Sequence, residues 1–202
     1  MNPVYRQARF ISSAPDITLL PQDKVREIAF AGRSNAGKSS ALNAITDQKQ
    51  LARVSNTPGR TQMINLFELP DGQRLIDLPG YGYAKVPDAI KRHWQTHLQR
   101  YFVEREQLAG LILIMDIRHP LQDLDWQMIK WCAAEDVPLH ILLTKADKLT
   151  YNVGKTTLLQ VQRAIEDANI VATLQLFSAT AKNGVDDVHE VLDAWFTGQR
   201  LV

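Results

Sequence analysis

Eight residues, Gly32-Arg33-Ser34-Asn35-Ala36-Gly37-Lys38-Ser39, fit the spacing G-x-x-x-x-G-K-S, and that spacing binds nucleotide phosphates when a strand precedes it and a helix follows. The glycines let the backbone turn so that successive N–H groups face phosphate oxygens, and the helix start adds its positive end. Lys38 would reach the β- and γ-phosphates. The Ser39 hydroxyl would take one position on an octahedral Mg²⁺ whose other ligands are phosphate oxygens and water. Asp77-Leu78-Pro79-Gly80 ends a hydrophobic run, where the carboxylate can hold a Mg²⁺-bound water and Gly80 can bring a backbone N–H to the γ-phosphate. An Asp-x-x-Gly alone more often marks a turn; after a phosphate loop and a strand it carries weight. Thr144-Lys145-Ala146-Asp147 follows the apolar run HILLT. Guanine offers two adjacent donors that one carboxylate can accept, and adenine does not, so Asp147 would select guanine while the Lys145 stem lies along the base plane. Ser178-Ala179, after TLQLF, is placed for a backbone N–H to the guanine carbonyl.

These motifs need strands to present them at one edge. Short apolar runs alternate with helical patterns, the signature of βαβ units and a mainly parallel sheet covered on both faces. The spacing predicts strands at Glu27–Ala31, Met63–Leu69, Arg74–Leu78, Leu111–Ile117, Leu139–Thr144 and Thr173–Phe177. The turn signal Pro70-Asp71-Gly72-Gln73 makes the second and third of these an antiparallel hairpin. Helices are predicted over Gly37–Thr46, Asp88–Glu106, Leu121–Glu135, Val153–Asp167 and Val185–Phe196. Residues 1–25, with Pro3, Pro15 and Pro21, read as an N-terminal extension that adds one strand (Ala8–Ser12) or drapes over the sheet, ahead of a single domain at 26–202. The irregular polar stretch 50–62 reads as a functional loop.

Composition limits the classes of function. With 202 residues, 45% hydrophobic and 22% charged, the chain can bury a sizeable core, which excludes fibrous and wholly disordered readings. Its apolar runs fall far short of the ~20 residues that cross a bilayer, and MNPVYRQARF has no signal-peptide apolar stretch, so a cytoplasmic location is expected. The single cysteine, Cys132, reads as a buried inert thiol on a helix face. The net charge of +1 is a cancellation: residues 1–60 carry +5, 61–84 carry −2, 85–105 carry +3 and 106–202 carry −5. The basic stretch 85–105 mixes Lys85, Lys91, Arg92, Arg100 and Arg105 with Trp94, Tyr101, His93 and His97. Trp94 and Tyr101 are expected to pack on the sheet, the basic residues to face RNA phosphates, and the two histidines, with no carboxylate pair nearby, not to hold a metal.

Taken in order, GRSNAGKSS, TPGRTQ, DLPGYGYA, MDIRHPLQDLD, TKAD and FSA resemble the EngB (YihA/YsxC) family of bacterial ribosome-assembly GTPases, over roughly residues 8–197. The resemblance implies a Ras-like α/β fold, a six-stranded mainly parallel sheet with about five flanking helices. It places the phosphate site on Gly32–Ser39 and the first switch on Gly59, Arg60, Thr61, Gln62 and Met63. Mg²⁺ falls on Ser39 and Thr61, because the second Thr of T-P-G-x-T is the family's metal ligand. The second switch begins at Asp77–Gly80, guanine is read by Thr144–Asp147, and Phe177, Ser178 and Ala179 close the base pocket. It further implies Mg²⁺-dependent hydrolysis of GTP to GDP, with Lys38, Asn35, Thr61 and Gly80 in catalytic roles. A nucleotide switch in large-subunit assembly, a need for it in normal cell division and septation, and a monomeric state complete the expectation.

Two departures from the wider GTPase pattern bear on mechanism. Thr144 stands where most such proteins have Asn, losing an amide that bonds both base and phosphate loop. Tyr81 follows Gly80 where Ras-like switches place the water-orienting Gln, so intrinsic hydrolysis is expected to be slow. In related GTPases with a hydrophobic residue in place of that Gln, an Asn at this loop position helps hold a K⁺ ion that supplies positive charge as an arginine finger does; Asn35 is expected either to do the same or only to stabilise the loop turn. Rival readings are a small-molecule kinase sharing the phosphate loop, which Thr144–Asp147 argues against, and a non-hydrolysing, nucleotide-dependent RNA- or ribosome-binding module.

Overall fold

The runs EIAFAG, LAGLILIMD and LHILLT have no polar face, so they form strands only where both sides of the sheet are covered. The computed structural model describes residues 2–52, 63–82, 96 and 98–201 and shows this arrangement. Its strands are β1 (Arg9–Ala14), β2 (Glu27–Gly32), β3 (Ile64–Glu68), β4 (Arg74–Asp77), β5 (Leu108–Asp116), β6 (Leu139–Thr144) and β7 (Thr173–Leu176). The helices among the described residues are α1 (Lys38–Ile45), α2 (residues 96 and 98–104), α3 (Asp123–Ala134), α4 (Tyr151–Asp167) and α5 (Val185–Thr197).

One sheet runs in the order β1-β3-β4-β2-β5-β6-β7. Strands β4, β2, β5, β6 and β7 are parallel, and β3 joins β4 in the expected antiparallel hairpin. Seven strands are present because the N-terminal segment adds β1, antiparallel to β3 and bulged between Phe10 and Ser12. Five of its six residues are exposed, so β1 is held by backbone pairing and shows no hydrophobic period to read.

Alternation along the central strands divides the core. Ile28, Phe30, Ile112, Ile114 and Leu142 face α1 and α5, while Ala29, Ala31, Leu111, Leu113, Met115, Ile141 and Leu143 face the layer of α2, α3 and α4. Tyr101 is fully buried in that second layer, as expected, and so is Cys132, whose thiol is pushed up by burial. β5 begins three residues earlier than its apolar run. Leu108 and Gly110 pair with β2, and Gly110 lies under the Trp195 ring, where a Cβ would come within 2.3 Å of an indole carbon. At this amino-terminal edge, buried Glu27 accepts two hydrogen bonds from Arg105, at 2.8 and 2.6 Å, and Arg74 makes two to Asp23. The opposite, carboxyl edge carries the motifs.

Candidate functional site

β2 ends at Gly32, and the next five residues turn sharply into α1. Asn35 (φ 63°) and Gly37 (φ 103°) take left-handed conformations, and Ala36 N–H bonds the Arg33 carbonyl at 2.9 Å. Gly37 occupies the N-cap position, so the unpaired N–H groups of the first turn open toward the loop. Lys38 does not reach into open solvent. Its ammonium donates to the Asp77 carboxylate, with both side chains about one-tenth exposed. The second oxygen of Asp77 accepts from Asn65 Nδ2 at 3.2 Å, and Asn65 Oδ1 accepts from the Ser13 hydroxyl at 2.6 Å.

Tyr81 turns away from this centre. Its backbone clamps the phosphate loop: Ser34 N–H donates to the Tyr81 carbonyl at 2.7 Å, and Tyr81 N–H to the Gly32 carbonyl at 3.3 Å. Its ring is 2% exposed, and its hydroxyl donates at 3.0 Å to Asp125, the residue that completes the capping box at the start of α3. Burial, then the Asp125 charge and hydrogen bond, push the phenol well above its usual range. Burial likewise raises the Asp125 carboxyl.

The base-reading residues are tied to the phosphate loop through two side chains. The Thr144 hydroxyl donates to the Ala36 carbonyl, so the loop contact expected to be lost for want of an Asn amide is made by the hydroxyl instead. Lys145, at φ 60°, donates to the Asn35 carbonyl at 2.7 Å and to Asp116 at 2.8 Å. Asp147 lies on the short turn Ala146–Lys148 and accepts from the Ser178 hydroxyl at 2.6 Å, which holds its carboxyl below the ordinary range. Ala146 N–H bonds the Phe177 carbonyl at 3.1 Å, joining the two base loops. The Phe177 side chain is fully buried in the core layer of α1 and α5. Ser178 is held by two backbone bonds with Asn183, both 3.1 Å.

Asp116 was not among the residues singled out, although it ends an apolar strand as Asp77 does. Partial burial alone would raise its carboxyl, but hydrogen bonds from Arg118 and Lys145 outweigh that and hold it well below the carboxylate range. Position at a strand's carboxyl end was the available signal. The expected first-switch residues Gly59, Arg60, Thr61 and Gln62, and Lys85, Lys91, Arg92, His93, Trp94 and His97, lie outside the described residues; Met63 precedes β3. Two of the five basic residues of 85–105 are engaged within the molecule. Arg105 is 6% exposed on Glu27, and Arg100 makes two bonds to Glu104, at 2.8 and 2.9 Å.

The donors fit a hard, oxygen-seeking cation. Ser39 and Asp77 offer oxygen, and no group of three or more His, Cys, Asp or Glu that could hold a metal occurs among the described residues. Mg²⁺ is such a cation, and it commonly keeps phosphate oxygens and waters beside a few protein ligands. Among the described residues no helix is long and apolar enough to cross a membrane.

A mainly parallel sheet, a G-x-x-x-x-G-K-S loop between β2 and α1, and the Thr144–Asp147 segment after β6 are the arrangement of a Ras-like P-loop GTPase domain. The sequence model of the family described as 50S ribosome-binding GTPase matches residues 27–145. The probable GTP-binding protein EngB of Photorhabdus laumondii is 58% identical over 193 residues, covering 96% of this chain and 92% of that protein. The EngB protein of Escherichia coli O139:H28 is 55% identical over 198 residues, covering 98% and 94%. A crystal structure of a probable GTP-binding protein engB superposes with a TM-score of 0.69 at 18% identity, over 86% of this chain and 100% of the other. Era in complex with MgGDPNP and nucleotides 1506–1542 of 16S ribosomal RNA gives 0.65 at 19% identity, over 85% and 56%. The chain belongs to the 50S ribosome-binding GTPase family and, within it, to the EngB GTP-binding proteins. It binds guanine nucleotide and is a GTPase.

Proposed function

We propose that this GTPase is a nucleotide switch in assembly of the large ribosomal subunit, acting in the cytoplasm and needed through ribosome supply for normal division and septation. The single observation that carries a switch is the Lys38–Asp77 ion pair, because the two groups expected to serve the phosphates and the metal neutralise each other here. Triphosphate binding must separate them. Lys38 then moves to the β- and γ-phosphates, the loop amides from Arg33 to Ser39 surround the phosphates, and Gly80 N–H meets the γ-phosphate. Ser39 and, from the first switch, Thr61 would hold Mg²⁺, which when bound neutralises charge developing on the phosphate oxygens. Asp147 accepts from guanine, Lys145 lies along the base, and Ala179 N–H meets the guanine carbonyl. Removal of the γ-phosphate releases the Gly80 and Thr61 contacts, which times partner release.

The Tyr81 hydroxyl is engaged by Asp125, so it does not align the attacking water, and intrinsic turnover is slow. Asn35, exposed on the phosphate loop, is the residue to hold a stimulating K⁺ ion. With Arg105 and Arg100 satisfied internally, contact with ribosomal RNA falls to Lys85, Lys91 and Arg92. The test is co-sedimentation with large ribosomal subunits in GDP, in a non-hydrolysable GTP analogue and without nucleotide. Retention only with the analogue is the expected result; equal retention in all three overturns the switch.

A further inference from the structure

Three polar side chains on neighbouring strands form a row that ends at Asp77. Ser13 of β1 and Asn65 of β3 are direct partners in one antiparallel ladder, and Asn65 and Asp77 of β4 are direct partners in the next. Directly opposed residues share a face of the sheet, so backbone register rather than a loop places the three side chains side by side. The hydrogen bonds run one way, from the Ser13 hydroxyl to Asn65 Oδ1 at 2.6 Å and from Asn65 Nδ2 to Asp77 Oδ2 at 3.2 Å. A carboxylate oxygen accepts, so the amide presents its NH₂ to Asp77, and its carbonyl takes the Ser13 hydroxyl as donor. The row occupies Oδ2 and leaves Oδ1 facing the phosphate loop, where it meets Lys38. Asp77 is 6% exposed, so water contributes little to its orientation.

We infer that Asn65, oriented by Ser13 of the N-terminal strand, is a positioning residue that holds the Asp77 carboxylate with one oxygen turned to the phosphate site, and thereby sets how tightly Mg²⁺ accompanies the nucleotide. The inference rests on the proposed assignment of Asp77 to a Mg²⁺-bound water. When Lys38 leaves for the phosphates, Oδ1 is the oxygen released, already aimed, and no rotation of the carboxylate is needed. Without the Asn65 amide the carboxylate is free to turn and to offer both oxygens to Lys38. Groups in this outer position change metal affinity by roughly 10- to 100-fold when removed.

The experiment measures release of a fluorescent guanine nucleotide from the full chain across a Mg²⁺ titration and in excess EDTA. For Asn65→Leu, which keeps the branched outline and removes both hydrogen bonds, the Mg²⁺ concentration that half-maximally slows release is expected to rise about tenfold. Release in EDTA should stay at the wild-type rate. Ser13→Ala should give a smaller rise of about two- to threefold, and Ser13→Thr, which keeps the hydroxyl, should restore the wild-type value. Asp77→Asn separates the two layers of argument. If Asp77→Asn shifts the Mg²⁺ dependence and neither Asn65→Leu nor Ser13→Ala does, the positioning role is wrong and the metal assignment stands. If Asp77→Asn itself leaves the dependence unchanged, both fall. Equal acceleration of release with and without Mg²⁺ in the Asn65 variant would show a merely structural residue. Should Asn65→Leu not fold, the Ser13 pair decides.

Discussion

Adding one methyl group at Gly32 tests whether the phosphate loop is held by the sheet behind it. A Cβ at this position would lie 2.7 Å from the Ile114 carbonyl oxygen and 3.1 Å from the Ile114 Cβ. An ordinary carbon–oxygen contact is about 3.3 Å, so roughly half an ångström must be found. Neither atom lies at the end of a flexible side chain: Gly32 and Ile114 are partners in the β2–β5 ladder at the centre of the sheet. The strands must part or the loop must shift. Overpacking of this kind costs about 1–3 kcal/mol, which for a domain of this size lowers the melting temperature by roughly 2–12 °C. The displacement carries into Ser34, bonded to Tyr81, and into Asn35, whose carbonyl receives Lys145. Guanine-nucleotide affinity of Gly32→Ala should therefore fall about tenfold or more, since misplacement by an ångström costs on the order of a hundredfold. Gly72→Ala is the control. Gly72 has φ +85° and nothing within 4 Å, so it carries backbone strain of about 1 kcal/mol far from the site and should leave affinity unchanged. Thermal unfolding together with equilibrium titration of fluorescent GDP reads both effects. Wild-type affinity in Gly32→Ala would refute the reasoning.

Three other perturbations have defined signs. His140 is buried between Thr173 and Gln175, at 2.7 and 3.0 Å, and burial lowers its pKa to about 4, so it is neutral in the folded chain at pH 7. The unfolded chain binds the extra proton below about pH 6.5, so stability falls as the pH drops from there toward 4, by up to ~3 kcal/mol; urea unfolding across that range should be flatter for His140→Gln. Tyr81→Phe removes the bond to Asp125 and should cost about 1–2 kcal/mol in unfolding while GTP turnover stays within about twofold, because the hydroxyl faces α3; a large fall in turnover would place it in the chemistry. Asp147→Asn should erode preference for GTP over ATP by about 1–3 kcal/mol, read by competition binding, and an undiminished preference would remove Asp147 from the base site.

Most of the site was legible because its chemistry demands particular residues at fixed spacing. The phosphate loop needs Gly37 where φ is 103° and a lysine at the helix start, and those constraints survive as a readable pattern. The central strands were legible for a related reason, since burial on both faces leaves them almost wholly apolar. β1 was harder, because an edge strand with exposed side chains is specified by the backbone groups of its neighbour. Likewise the early start of β5 depends on pairing with β2 and on the ring of Trp195, 85 residues away from Gly110.

From the amino-acid order alone followed the class of fold, the nucleotide and base motifs and the family resemblance, because these rest on residues close in sequence. Tertiary structure decided the relations among them. Thr144 keeps its hold on the phosphate loop, Asp116 anchors Lys145, Tyr81 is a buried brace bonded to Asp125, and Ser13 reaches Asp77 through Asn65. Each joins segments tens of residues apart, and a hydrogen bond depends on distances of a few tenths of an ångström that only the register of the sheet establishes.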